Sequence, residues 1–220
     1  MSPAAEPSTT PAGQLETRGW WLGIIASVLI LAGFFAVDEG GTELSASLDE
    51  AVAHLVSLHG RIVVGSIIGI LGGLALFGFA ASLRIRLSRE GVEGEWLGSV
   101  VLASAVVMAI GAIVHGSLRL AVAAIVSTNT PPDEMLQLWR FDRTTDVLFW
   151  GSLVLVSSMC TAAFSVRLLP RALAAVGVVL VVANMILMPT DHGGVGLTLL
   201  LWLIAACSSL IARSKSPVGT

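Results

Sequence analysis

The sequence predicts an all-α, polytopic transmembrane bundle of six helices. Three observations carry this: a mean hydropathy of +0.88, only 12% charged residues against 55% hydrophobic, and six apolar runs of membrane-crossing type separated by short polar segments. Soluble domains carry roughly 25% charged residues, so most of this surface faces something other than water. A hydrocarbon core about 30 Å thick needs about 20 apolar residues in a helix. The runs are Gly19–Val37, Ile62–Leu83, Trp96–Val126, Val147–Val166, Ala172–Met188 and Val195–Ile211.

The segment before the first run, residues 1–18, is rich in Pro, Ser and Thr and lacks the basic n-region of a signal peptide. It is expected to be a disordered cytoplasmic tail, and the first run to be a retained helix. The third run is too long for one perpendicular span, which places His115 and Arg119 near or above its far boundary. The last two runs are short and suit a tight hairpin around Pro189–Gly194. The membrane domain is thus expected over residues 19–212, with a cytoplasmic tail at 213–220.

The positive-inside rule sets the orientation. Arg18, Arg84, Arg86, Arg89, Arg167, Arg171, Arg213 and Lys215 fall on one side of the expected topology. Only Arg61, Arg119, Arg140 and Arg143 fall on the other, which accounts for all 12 basic residues. Both termini are therefore expected to be cytoplasmic. Lys215 is the only lysine; with a chain dominated by Ala, Val, Gly and Leu, this points to a GC-rich bacterial genome and to the cell membrane. The net charge of -3, with no basic run, excludes nucleic acid as a partner.

Two outer loops carry helix signals. Ser47-Leu48-Asp49-Glu50 reads as a capping box, and the amphipathic stretch after it is expected to lie along the interface. Thr130-Pro131-Pro132-Asp133 reads as a helix start leading into the fourth span. In the second span, Gly65, Gly69 and Gly73 repeat every four residues, a spacing that admits a close neighbouring backbone. Core packing is the first reading of this stripe and a homo-oligomer face the second. Cys160 and Cys207 lie in apolar runs and read as small packing residues.

Sidedness locates the candidate site. All four histidines (His54, His59, His115 and His192) and ten of the 15 acids map to the outer side. Ionisable groups in or beside a span are rare unless they face the bundle interior or pair. His115 and Arg119 are four apart and share a helix face; so are Asp142 and Asp146, with Trp139 on the same stripe. A layer of His59, Arg61, His115, Arg119, Asp142, Asp146, Asn184, Asp191 and His192 is expected at the outer mouth, binding a small or lipidic ligand alongside membrane lipids. Structural readings stand beside it: Arg119 snorkelling to headgroups, Asp146 capping the fourth span or bridging to Arg119, His192 as a loop residue.

The alternative is an enzyme acting on a lipid or isoprenoid, with Asp146 or His115 as acid or base and Arg61 or Arg119 holding an anionic headgroup. No nucleophile elbow, phosphate loop, dinucleotide fingerprint or aspartate-rich prenyl motif supports it. An accessory, partner-binding protein or a small oligomeric transporter is the third reading. No HxxxH, HxH or CxxC spacing occurs, so no metal is expected. His59, His115 and His192 sit too near the boundary for a buried haem, and no cofactor is expected.

Leu58-His59-Gly60-Arg61 opening a glycine-rich helix, the exit FAASLRIRL over Phe79–Leu87, Leu169-Pro170-Arg171-Ala172 before the fifth run and Leu201-Trp202-Leu203 in the last form a recognisable set. With these, the chain from Glu16 to Ala212 resembles a family of small bacterial integral membrane proteins common in actinobacteria. The resemblance implies a six-helix membrane protein and assigns no catalytic residue.

Overall fold

The computed structural model describes residues 11–36, 48–126, 134, 137, 147–187 and 195–215. These are almost wholly helical, with no strand among them. The helices are α1 (Pro11–Ala36), α2 (Leu48–Leu87), α3 (Gly91–Val126), α4 (Val147–Val166), α5 (Arg171–Leu187) and α6 (Val195–Lys215). Four apolar helical stretches are long enough to cross a membrane: Thr17–Ala36, Phe149–Val166, Leu197–Ser214 and the 75-residue Val52–Val126, while Arg171–Leu187 is a shorter apolar helix. The longest stretch folds back on itself at a 3-10 turn, Ser88–Glu90. Gly91, at φ +79°, supplies the left-handed residue that reverses the chain, and an Arg86–Glu90 ion pair of 2.6 Å spans the turn.

Small residues let the helices approach. A methyl on Gly73 would meet the Ala109 carbonyl at 3.0 Å, and one on Gly151 would meet the Met108 Cα at 2.5 Å, so α2–α3 and α3–α4 are in near-backbone contact. Gly65 and Gly69 receive Gly33 of α1. The stripe of α2 thus meets α1 at Gly33 and α3 at Gly73, while a methyl on Gly69 itself would meet nothing within 4 Å. Between α3 and α4 the Ser104 and Ser158 hydroxyls share a 2.8 Å hydrogen bond. A core of Trp20, Leu76, Phe79, Leu83, Met108, Met159, Leu203 and their neighbours runs through the bundle.

The start of α1, the α2–α3 turn, the α4–α5 turn and the end of α6 converge on one end of the bundle. Gly19 lies against Ser82, Gly23 against Phe79 and Cys207, and the Arg213 guanidinium donates to the carbonyls of Arg167 (3.3 Å) and Leu168 (3.2 Å). Arg167 is left-handed at φ 55°, the reversal that stops α4 before Pro170. The bond from Ala174 N–H to the Pro170 carbonyl opens α5.

Two expectations change. The stretch after Ser47 does not form a separate helix along the interface: α2 is continuous from Leu48 through Gly60 to Leu87. Leu55, Leu58 and Ile62 bury themselves against Val122 and Ala123 of α3, because α3 runs far enough to give them a partner. Helix α1 also begins at Pro11 and takes in part of the segment expected as a tail. The helix start at Thr130–Asp133 and the hairpin around Pro189–Gly194 lie outside the described residues.

Candidate functional site: a polar cavity and a lateral groove

At the end of the α2–α3 hairpin remote from Gly91, three helices surround a small polar cavity. Ile30, Gly33 and Phe34 come from α1, Gly65, Ser66 and Gly69 from α2, and Ala112, His115, Gly116 and Arg119 from α3. The expected pairing of His115 and Arg119 on one face is seen. Arg119 is only 3% exposed, and both residues make polar interactions. The Ser66 hydroxyl donates to the Ile62 carbonyl at 2.6 Å, leaving its lone pairs for the cavity. The free volume is about 20 Å³. One water needs roughly 10–15 Å³ of this kind, so the space fits a single water and not a ligand.

The other described members of the expected layer are elsewhere. Arg61 is exposed and donates from Nε to the Ala36 carbonyl at 2.9 Å, placing a cation on the C-terminal carbonyls of α1, where the helix dipole favours it. His59 is half-buried, and its Nδ1, like Nε2 of His54, is a buried atom without a hydrogen-bond partner. Asn184, 4% exposed, holds α5 to α6: its amide donates to the Leu180 carbonyl at 2.7 Å and to the Thr198 hydroxyl at 3.0 Å. These bonds tie the end of α5 to the start of α6. Asp142, Asp146, Asp191 and His192 lie outside the described residues. Among the described residues no cluster of three or more His, Cys, Asp or Glu is placed to hold a metal.

A larger space lies elsewhere. Helices α3, α4 and α5 leave an open groove of about 370 Å³, lined by Trp96, Leu97, Val100, Trp150, Leu153, Val154, Ser157, Ser158, Thr161, Val181 and Met185. Ligand sites span about 300–1,000 Å³ and are mostly apolar with a few polar groups, which this groove matches and the cavity does not. It forms because α5 packs loosely: only Ala174, Gly177 and Asn184 of that helix are buried. Val176, Val179, Val182, Met185 and Ile186 face outward. The sequence held a signal for this groove, since Trp150, Leu153, Val154, Ser157, Ser158 and Thr161 follow helical three-and-four spacing on one face of α4. That face reads as plain core until α5 is seen to stand off from it.

The polar groups of the groove differ in state. Ser158 donates to the Val154 carbonyl at 2.7 Å besides its bond with Ser104, and Thr161 donates to the Ser157 carbonyl at 3.0 Å. The Ser157 hydroxyl has no hydrogen-bond partner among the described residues.

Together, these apolar helices and a side-opening groove define a helical membrane protein. No protein-family model, curated protein or solved structure matches the chain, so function is argued from this chain's own residues.

Proposed function

We propose that this is a six-span integral protein of a bacterial cell membrane, both termini cytoplasmic, that binds a lipidic ligand in the lateral groove. The observation that carries the reading is the groove itself: a ligand-sized, apolar space opening sideways from helices of membrane-spanning composition. A molecule reaching it by lateral diffusion never has to leave the bilayer. Eight of the 12 basic residues flank the end where the two tight turns lie, which supports the cytoplasmic assignment of that end.

The polar layer keeps a place in this reading through chain order. Helix α4 begins at Val147, directly after Asp146, and α5 ends at Leu187, shortly before Asp191 and His192. The end of the groove marked by Trp150 and Met185 is thus flanked in sequence by acids and a histidine suited to a polar headgroup. The small cavity at His115 and Arg119 has room for one water where α1, α2 and α3 meet.

Native mass spectrometry of the protein from mild detergent tests the reading. The expected result is a stoichiometric lipid adduct, lost in Val154→Trp, which fills the groove from an exposed wall position. A bare parent protein, or an adduct that Val154→Trp leaves intact, overturns it. For orientation, Cys160 and Cys207 are buried, so Glu93→Cys adds an accessible thiol to a quiet background. It should resist membrane-impermeant maleimide in intact cells and label after lysis.

A further inference from the structure

Resting on that reading, we propose that the groove selects a lipid carrying an oxygen acceptor within its apolar part, a carbonyl above all, and that Ser157 is the residue that reads it. The first observation is depth. Ser157 lies midway along the α4 helix Val147–Val166, where the bilayer offers no water. The second is its bonding state: its neighbours in the groove, Ser158 and Thr161, satisfy their hydroxyls on α4 carbonyls, whereas Ser157 has no such bond among the described residues. The hydroxyl is half-buried and committed to no protein acceptor among the described residues, so it is free to donate to an oxygen brought into the groove. A plain acyl chain offers it none, because it has neither donor nor acceptor along its length.

The surroundings fit one kind of occupant. The walls above and below are apolar, with the indoles of Trp150 and Trp96 among the lining side chains and valines and leucines between. No charged side chain lines the groove, which excludes an ionised group at this depth. The remaining chemistry is a long apolar molecule interrupted by one neutral acceptor, as in an oxo-substituted chain or an oxygen-bearing isoprenoid. The Ser157 O–H donates to that oxygen, and no bond of α4 has to break to permit it.

The test uses delipidated full-length protein in detergent, titrated by native mass spectrometry with two probes: octadecanoate, and octadecanoate bearing a carbonyl at mid-chain. The oxo chain is expected to bind about fivefold more tightly, the factor an ordinary net hydrogen bond supplies. Ser157→Ala should abolish the preference while leaving plain octadecanoate binding unchanged, and Ser157→Thr should keep it. Equal binding of both probes to the parent, or a preference that survives Ser157→Ala, overturns the role of Ser157 and leaves the groove as a lipid site. Failure of both probes to bind, or binding that Val154→Trp does not weaken, overturns the groove reading instead.

Discussion

Gly33 and Gly69 face each other across α1 and α2, yet they answer differently to the same substitution. A methyl at Gly33 would stand 2.6 Å from the Gly65 carbonyl oxygen, 2.9 Å from Gly69 N and 3.1 Å from Gly69 Cα. Carbon contacts settle near 3.5–4.0 Å, so α1 must retreat by roughly 1 Å against backbone that cannot turn aside. A gap of that size forfeits about a quarter to a half of the dispersion attraction of the atoms lining it. Overpacking of this kind costs about 1–3 kcal/mol, against about 0.5–1 kcal/mol gained by replacing glycine within a helix. Gly33→Ala should therefore lose about 1–2 kcal/mol net. At Gly69 a methyl meets nothing within 4 Å, and only the helix gain of about 0.5–1 kcal/mol remains. Both are measured by equilibrium unfolding in mixed micelles, followed through the emission of tryptophans that include buried Trp20. An unimpaired Gly33→Ala refutes the close α1–α2 contact. A destabilised Gly69→Ala that also lowers the oligomeric state shows instead that the stripe meets a second copy.

Other substitutions test separate contacts. Asn184→Leu removes the tie to Thr198 and should cost about 0.6–1.7 kcal/mol, the range for hydrogen bonds between membrane helices; hydrogen exchange should rise in α5 and stay unchanged in α2. Arg119→Ala truncates a buried side chain beside the cavity and should cost about 2–5 kcal/mol in the same unfolding assay, whereas exposed Arg61→Ala, which only uncaps α1, should cost about 0.3–1 kcal/mol. Arg167→Gly relieves a left-handed residue and should stabilise by about 1–2 kcal/mol, provided the Arg213 bonds to the turn carbonyls persist.

Much of the helical framework was legible in the sequence, because apolar run length is set by the hydrocarbon and is read locally. The α4 boundaries agree with the Val147–Val166 run, and those of α5 lie within a residue or so of the expected ones. The continuity of α2 was not legible. His59-Gly60-Arg61 looks like a break until Leu55, Leu58 and Ile62 are seen to have Val122 and Ala123 as partners, 60 to 68 residues away in the chain. The candidate site was legible only in part. His115 and Arg119 share a face because helical spacing dictates it, but the volume they enclose depends on how closely Gly33, Gly65 and Gly116 draw the helices together. Asn184 was legible as a polar residue near a span end, but its partner Thr198 belongs to a helix whose rotation the sequence does not state. The groove escaped notice because it is defined by what α5 fails to cover.

The length of the α2–α3 pair has an electrostatic consequence. On the proposed placement of Ile62–Leu83 across the hydrocarbon, the part of α2 from Leu48 to Arg61 continues some 21 Å further at 1.5 Å per residue, braced by Val122, Ala123, Ile125 and Val126. Ions screen charges over about 8 Å at physiological strength. The tip carrying Glu50 therefore stands about one screening length or more beyond the headgroup layer, which is roughly 5–7 Å deep. Its charge is thus placed to act on solutes in the medium and only weakly on the lipid headgroups.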